Sequence, residues 1–541
     1  MSKPLNLRRG LAVIGCFWLV AGVALAQTET ERFDIQRFEI DGNTLLGAEE
    51  IRALVAPFTG PRREYGDVQR ALDALEARYR ELGYSAVQVS VPEQVLERGI
   101  VTLKVIESRI GKVYVNDAQF FDAPNIRASL PAVKEGISPN AVAISQNVAL
   151  ANENPARQLD VVLRVGEEEN LVDVDVNVKD SKPMKVFATL DNTGNKQTGN
   201  ARLGLGVQHA NLFNRDHSGT FNYSTAPEKA SQVRIFSVSY RVPLYSLGHA
   251  VDVIVAKSSV DAGATQTVAG PLTFAGKGNV YGLRYNQLLP RRGEFTHRLV
   301  YGFDYKAFDN TCSLGEFGPA GCGNAGADIT SRPVSVNYSG GWQAPTRQTD
   351  FTLSLARNLP GGKNGKQADF DAAQPSPAGG EAAPAEFLVL KLGGSMATTV
   401  FEDWQIRGAL SAQWSRTRLI AGEQFGIVGS TAVRGFMERE VARDTGYYAN
   451  VELYTPNLSE TVGLSTGTLR GLFYYDFGSA RNNPLEGEDT QKASVGSLGA
   501  GLRFNIEKDL AVKFDVARVM DAGGGQVRGK YRGHLQVFLS F

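Results

Sequence analysis

From residue 184 to the C-terminus the chain alternates apolar and polar positions in one short segment after another. In HLQVFLSF, Leu535, Val537, Leu539 and Phe541 share one face, and His534, Gln536, Phe538 and Ser540 take the other. SLGAGLRF sends Leu498, Ala500, Leu502 and Phe504 one way and Ser497, Gly499, Gly501 and Arg503 the opposite way. GLFYYDFG separates Phe473, Tyr475 and Phe477 from Tyr474, Asp476 and Gly478. A period of two predicts half-buried strands, and about sixteen such segments are present. A soluble sandwich also alternates, so the period alone leaves the architecture open. The connections discriminate. Short ones (243–248, 290–294, 344–348, 507–508) are expected to alternate strictly with long ones near 260–276, 310–331, 359–385, 419–444, 480–493 and 520–531. Short turns at one end and long loops at the other predict a transmembrane β-barrel of about 16 antiparallel strands. Arg503, Lys513 and Asp515 then face a wet lumen, and Phe541 faces lipid. The 359–385 loop, rich in Gly, Ala and Pro, is expected to be mobile.

The pattern upstream is different. FDIQRFEIDGNTLL reads as a strand and turn, whereas AEEIRALVAPF and DVQRALDALEARYRELGYS have helical spacing with Leu72, Leu75 and Tyr79 on one face. AVQVSVPEQV and GIVTLKVIES return to strand alternation and close a β-α-α-β-β unit near Ser108. The order then repeats: strand IGKVYV, helices in FDAPNIRASLPAV and AVAISQNVALANE, strands ARQLDVVLRV and NLVDVDVNVKD. Each module is expected to carry an open sheet edge able to add an extended peptide, although a rigid spacer fits equally well. The aspartates of VDVDVNVKD are expected on a solvated edge.

Lys3, Arg8 and Arg9, the apolar run Leu11 to Leu25 and the Ala24-Leu25-Ala26 site describe a secretory signal peptide over 1–26. Its removal takes three of 57 basic residues and leaves 57 acidic ones, a net charge of −3 and no bulk pull toward nucleic acid. Export also frames the cysteines. Cys312 and Cys322, close together in a Gly-rich loop, favour a disulfide over a metal site. No HExxH or Cys/His ligand spacing occurs in the 541 residues, so neither an enzyme, a cofactor nor a metal is expected. The domain plan is therefore 27–109 and 110–181 for the two modules, and 182–541 for the barrel.

One loop stands out chemically. STAVRGFMERE places Arg434 between Val433 and Gly435, with Phe436 following, in the 419–444 connection. Asp476 lies on the lumen face of a later strand, next but one to Tyr474. If the loop folds inward, Arg434 can reach Asp476 with a bidentate guanidinium, Gly435 can turn the tip and Phe436 can pack on the wall. A solvated loop arginine is the plainer alternative.

VRGF at 433–436, YYDFG at 474–478 (with Gly478) and the paired modules resemble the polypeptide-translocating POTRA-barrel superfamily, which includes the BamA-type assembly factors. Two modules, the DN-x-G…TG…NLF hairpin at 191–213, and Asn154, Pro155 and Arg157 of ENPARQL resemble its two-partner secretion branch, the TpsB transporters of FhaC and ShlB type. The resemblance implies an outer-membrane transporter with periplasmic POTRA modules that bind a cognate exoprotein of adhesin, cytolysin or toxin type. It implies partners in outer-membrane lipid and in the barrel-assembly machinery, and an Arg434–Asp476 contact holding the loop inside the barrel. The rivals are a BamA-like assembly factor, against which the module count weighs, and a simple porin, which would need neither the modules nor a lumen-directed loop. Many members of the branch begin with a plug helix; here only QTETER separates the cleavage site from the first strand, so either closure rests on the 419–444 loop alone or the resting pore is leakier.

Overall fold

The computed structural model describes residues 32–95, 98–196, 198–259, 263–267, 270–274, 277–309, 328–373, 383–484, 490–523 and 526–541, with backbone alone over 263–274. The leader and the Cys312–Cys322 pair lie outside the described residues. The chain divides into two compact units, one ending at Glu107 and the other consisting mainly of Ser108 to Phe541.

The first unit holds β1 (Phe33–Ile35), β2 (Arg37–Asp41), α1 (Ala48–Val55), β3 (Gly60–Arg63), α2 (Tyr65–Glu81), β4 (Val87–Ser90) and β5 (Ile100–Glu107). β5 lies central, parallel to β2 and antiparallel to β4. β1 and β3 form a small extra sheet that the sequence pattern did not separate from its neighbours, each strand being too short to show a period. The apolar stripe of α2 buries Val68, Leu72, Leu75 and Tyr79, as its 3.6-residue spacing requires. Glu107 closes the unit. It accepts from the Thr44 and Leu45 N–H groups at 2.8 and 3.0 Å, from the Thr44 hydroxyl, and from Tyr79 Oη at 3.1 Å. Burial pushes its carboxyl up, but these donors prevail and hold it below the usual glutamate range.

The second unit opens with β6 (Arg109–Asn116), α3 (Ala123–Ala128), α4 (Ala141–Ala151), β7 (Arg157–Val165) and β8 (Leu171–Asp180). Asp122 caps α3 and Asn140 caps α4, each accepting an N–H three residues on. The solvated-edge expectation for VDVDVNVKD fails. β8 is the central strand of the β6-β8-β7 sheet, Asp173 is buried against the Lys112 N–H at 2.8 Å, and Asp180 accepts the N–H groups of Gln119, Phe120 and Phe121. A short polar side chain can enter a core when backbone donors meet it.

The barrel wall contains sixteen strands closed into a ring. In order they are β9 (Met184–Asp191), β10 (Arg202–Leu212), β11 (His217–Thr225), β12 (Ile235–Leu244), β13 (His249–Ser258), β16 (Gly278–Leu288) and β17 (Phe295–Phe308). There follow β18 (Ile329–Ser331) continued by β19 (Pro333–Ala344), then β20 (Arg347–Asn358), β21 (Leu388–Val400), β22 (Trp404–Ser415), β25 (Thr445–Tyr454), β26 (Thr468–Arg481), β27 (Lys492–Ile506), β28 (Leu510–Ala522) and β29 (Tyr531–Ser540). Two small hairpins belong to connections: β14 (Gly263–Thr267) with β15 (Gly270–Phe274), and β23 (Phe425–Gly426) with β24 (Ala442–Arg443). β14 lies against β11 and β12. No described helix is long and apolar enough to cross a membrane; crossing falls to the strands.

Leu205, Val238, Val255, Leu283, Leu355, Leu410 and Leu502 are exposed outside, whereas Asn222, Ser237, Asp252 and Asn286 are enclosed. Apolar outside and polar within is the inverse of a soluble core and fits lipid as the outer solvent. Near the short-turn end Phe295 stacks on Trp342 at 4.4 Å and on Phe351 at 6.2 Å, part of an interfacial aromatic girdle. β29 closes on β9 in the register Gln536↔Asp191 to Ser540↔Phe187. Phe541 extends the seam with a 2.8 Å bond to the Val186 carbonyl, and its exposed ring faces outward. At the other end Asn192 continues the ladder with its side chain, donating to the Gly533 carbonyl at 2.9 Å and accepting from the Leu535 N–H at 3.0 Å.

Two loop expectations need correction. The connection 455–467 is long but lies at the short-turn end, so the alternation is not strict. The 359–385 loop is not uniformly loose. Its described part forms α5 (Gln367–Ala373), which buries Phe370 among Ile329, Phe387, Leu419 and Ile420. One aromatic anchor outweighs a Gly- and Pro-rich composition.

Candidate functional site

The 419–444 loop folds into the barrel. Gln424, Phe425 and Gly426 begin a hairpin whose return strand includes Ala442 and Arg443. Beyond it Val428 bridges Val433, and Ile427, Val428, Val433, Phe436 and Val441 pack with wall residues Ala480, Ala493, Val495 and Val519. Phe436 is fully buried there. The apolar cluster gives this inward-folded loop its own core, which explains why an aromatic stands in an otherwise polar stretch.

The cluster presses the tip onto the wall. Arg434, only 3 % exposed, places Nε 2.7 Å from Asp476 Oδ2 and Nη2 2.8 Å from Oδ1, and its N–H donates to Oδ2 at 3.1 Å. Its guanidinium carbon lies 3.3 Å from the centroid of the Tyr474 ring, a cation–π contact in a desolvated setting. The ring itself occupies space that only glycine leaves: a Cβ on Gly499 would collide with it. Gly435 has φ +99°, a region favouring glycine, and an added Cβ would stand 3.3 Å from Val519 Cγ2. Its N–H donates to His534 Nε2 at 2.9 Å, so that ring nitrogen is the acceptor. Asn450 links both sides, donating to Asp476 Oδ1 at 2.8 Å and to the Ala432 carbonyl at 2.9 Å.

Two further carboxylates face the same guanidinium: Glu452 at 2.8 Å and Asp515 at 3.5 Å. Each has another cation, Arg407 at 3.1 Å for Glu452 and Arg503 at 2.9 Å for Asp515. Three arginines thus balance three carboxylates, which makes burial of so many charges tolerable. Sequence reasoning joined Arg434, Tyr474 and Asp476, and placed Asp515 and Arg503 on the lumen face without linking them to the loop. It missed Asn450, Glu452 and His534. Their signal was the alternation itself, since Asn450 and Glu452 share one face of ANVELY and His534 leads the polar face of HLQVFLSF. Gly478 does not touch Arg434; it makes room for the backbone and Tyr448 of the neighbouring β25.

The second module is joined to the barrel by the ENPARQL run. Arg157, fully enclosed, pairs with Asp216 at 2.7 Å, donates to Asn125 Oδ1 at 2.8 Å and stacks over Phe121. Tyr245 Oη donates to the same Asp216 at 2.7 Å. Asn154 donates to the Ala210 carbonyl at 2.8 Å and accepts the Ala156 N–H, with Pro155 exposed between them. Glu153 adds Arg241 and Arg298 of β12 and β17, at 3.3 and 2.7 Å. Asp216 and Tyr245 belong to the first two short turns, so this run is a bolt between module and barrel rim.

A closed sixteen-stranded barrel with an inwardly latched loop and two N-terminal α/β modules defines a POTRA-barrel protein of the bacterial outer membrane, its modules in the periplasm. A family model described as haemolysin secretion/activation protein ShlB/FhaC/HecB matches residues 171–504, and one described as POTRA domain, ShlB-type, matches 33–108. The chain belongs to the ShlB/FhaC/HecB family and is a two-partner secretion outer-membrane transporter. It is similar to the outer membrane transporter CdiB of Dickeya dadantii (strain 3937), 23% identical with 78% of this chain and 72% of that one covered. It is similar also to the heme/hemopexin transporter protein HuxB of Haemophilus influenzae (strain 86-028NP), 22% identical over 88% and 82%. The solved CdiB from Escherichia coli superposes with a TM-score of 0.73 at 18% identity, covering 97% of this chain and 93% of that one, and CdiB from Acinetobacter baumannii with 0.68 at 15%, covering 95% and 91%.

Proposed function

We propose that this transporter captures one cognate secreted polypeptide at its periplasmic modules and passes it unfolded through the lumen, with the Arg434 latch holding the 419–444 loop in its working position. The buried Arg434–Asp476 pair is the observation that carries the reading: a loop tip sealed by charge onto the wall occupies the path a chain must take. The edges of the two module sheets, β2 or β4 in the first and β6 or β7 in the second, offer backbone groups to an extended segment. Folding of the product outside supplies the drive, and no group placed for bond chemistry is needed. Adhesin, cytolysin and toxin are the substrate types we assign, and the machinery that inserts other barrels is the assembly partner of this one. Deletion of the gene followed by quantitative proteomics of supernatant and outer membrane tests this. Loss of one large exported protein, with other barrels unchanged, is expected. A general fall in outer-membrane barrels would replace export by barrel assembly.

A further inference from the structure

The loop has a second attachment, at its root. Glu423 stands where the chain has just left β22, with its side chain 7 % exposed. Lys306 Nζ donates to both its oxygens, at 3.0 and 3.1 Å, and the buried Ser331 hydroxyl donates to one of them at 2.8 Å. Its backbone carbonyl accepts from Gln413 Nε2 of β22 at 3.1 Å. The residues just before it, Leu419 and Ile420, are clamped by Phe370, Ile329 and Phe387. Lys306 lies near the extracellular end of β17 and Ser331 ends β18.

Position in the ring gives this pair its meaning. β17 and β18 are the seventh and eighth of the sixteen staves, while Glu452, Asp476 and Asp515 stand on the twelfth, thirteenth and fifteenth. The loop therefore leaves β22, the eleventh, touches one wall at the outer rim, and returns to another wall midway along β26. A buried ion pair is a poor source of net stability, because desolvation offsets attraction, but it holds a register well. A loop held only at its tip can pivot about its root; one held at both ends is a strut across the lumen.

We propose that Glu423, through Lys306 and Ser331, is a positioning residue that forms the second anchor of this strut, so that opening requires release at the root as well as at Arg434. This rests on the latch reading above and extends it to a site that the family motifs do not include.

The test uses the full-length transporter in planar lipid bilayers, with heat-modifiable migration reporting barrel assembly. Glu423→Gln and Lys306→Met are each expected to raise the open fraction about tenfold, and the double variant to raise it no further, because both remove the same contact. Lys306→Arg retains the anchor and should stay near wild type. Ser331→Ala, which deletes one hydroxyl, should give about a threefold rise and serves if the charge variants fail to assemble. Arg434→Ala is the reference. If it opens the channel while the root variants match wild type, the second anchor is overturned and the latch stands. If Arg434→Ala is silent as well, the latch reading itself falls.

Discussion

Replacing Arg434 by alanine removes two side-chain bonds to Asp476, the contacts to Glu452 and Asp515, and the cation over Tyr474, while sparing the backbone N–H that also reaches Asp476. Asp476 is fully enclosed, so little water reaches its carboxylate once the cation is gone. Breaking a buried pair from one side costs about 3–5 kcal/mol. Here Arg407 and Arg503 stay beside Glu452 and Asp515 and absorb part of the loss, which points to the lower end. A cost of about 3 kcal/mol moves the docked–undocked balance of the loop by roughly two orders of magnitude. The assay is a double-mutant cycle on channel open fraction, with export measured in parallel. Arg434→Ala and Asp476→Ala should each open the channel and cut export while the barrel still assembles. The double variant should be no worse than either, with a coupling of about 3 kcal/mol. Additivity within about 0.5 kcal/mol would refute the pairing as the source of docking.

Tyr474→Leu keeps an apolar side chain but removes the ring and its cation–π contact, so an open-fraction rise of about fivefold is expected, read in the same bilayers. Gly435→Ala forces a Cβ into a strained backbone region within reach of Val519; undocking by about 1–2 kcal/mol should follow, visible as new accessibility of a cysteine placed at Ala432, which is buried in the docked loop. Arg157→Ala leaves Asp216 enclosed with Tyr245 alone, and limited proteolysis between the second module and β9 should accelerate with export reduced; an unchanged cleavage rate would remove the bolt. For the first module, Glu107 has a depressed carboxyl, so its contribution is present above about pH 4.5 and is lost as pH falls through the folded value. Glu107→Gln should abolish that part of the acid dependence of unfolding, followed by circular dichroism of the full chain in detergent.

The barrel was legible because lipid makes alternation visible: each wall strand must show an apolar side outward and a polar side inward. The latch was legible for a narrower reason, that Arg434 and Phe436 are an unprofitable pair in a solvated loop. What stayed hidden depends on contacts distant in sequence. Glu452 and His534 meet Arg434 only after ring closure sets β25 and β29 around the tip, and Glu423 meets Lys306 only because the loop crosses the lumen. Asp173 misled because a polar residue on a strand looks solvated unless its donor, the Lys112 N–H, is known. In the 359–385 loop, composition concealed a single anchor at Phe370.

The most direct test of chain passage places a photo-crosslinking amino acid at Lys513, which faces the lumen beside Arg503 and Asp515, and at Leu502, which faces lipid. During active export, the polypeptide whose surface level falls on gene deletion should form adducts at position 513 and none at 502. Adducts at neither position, or equally at both, would contradict passage of a chain through this lumen.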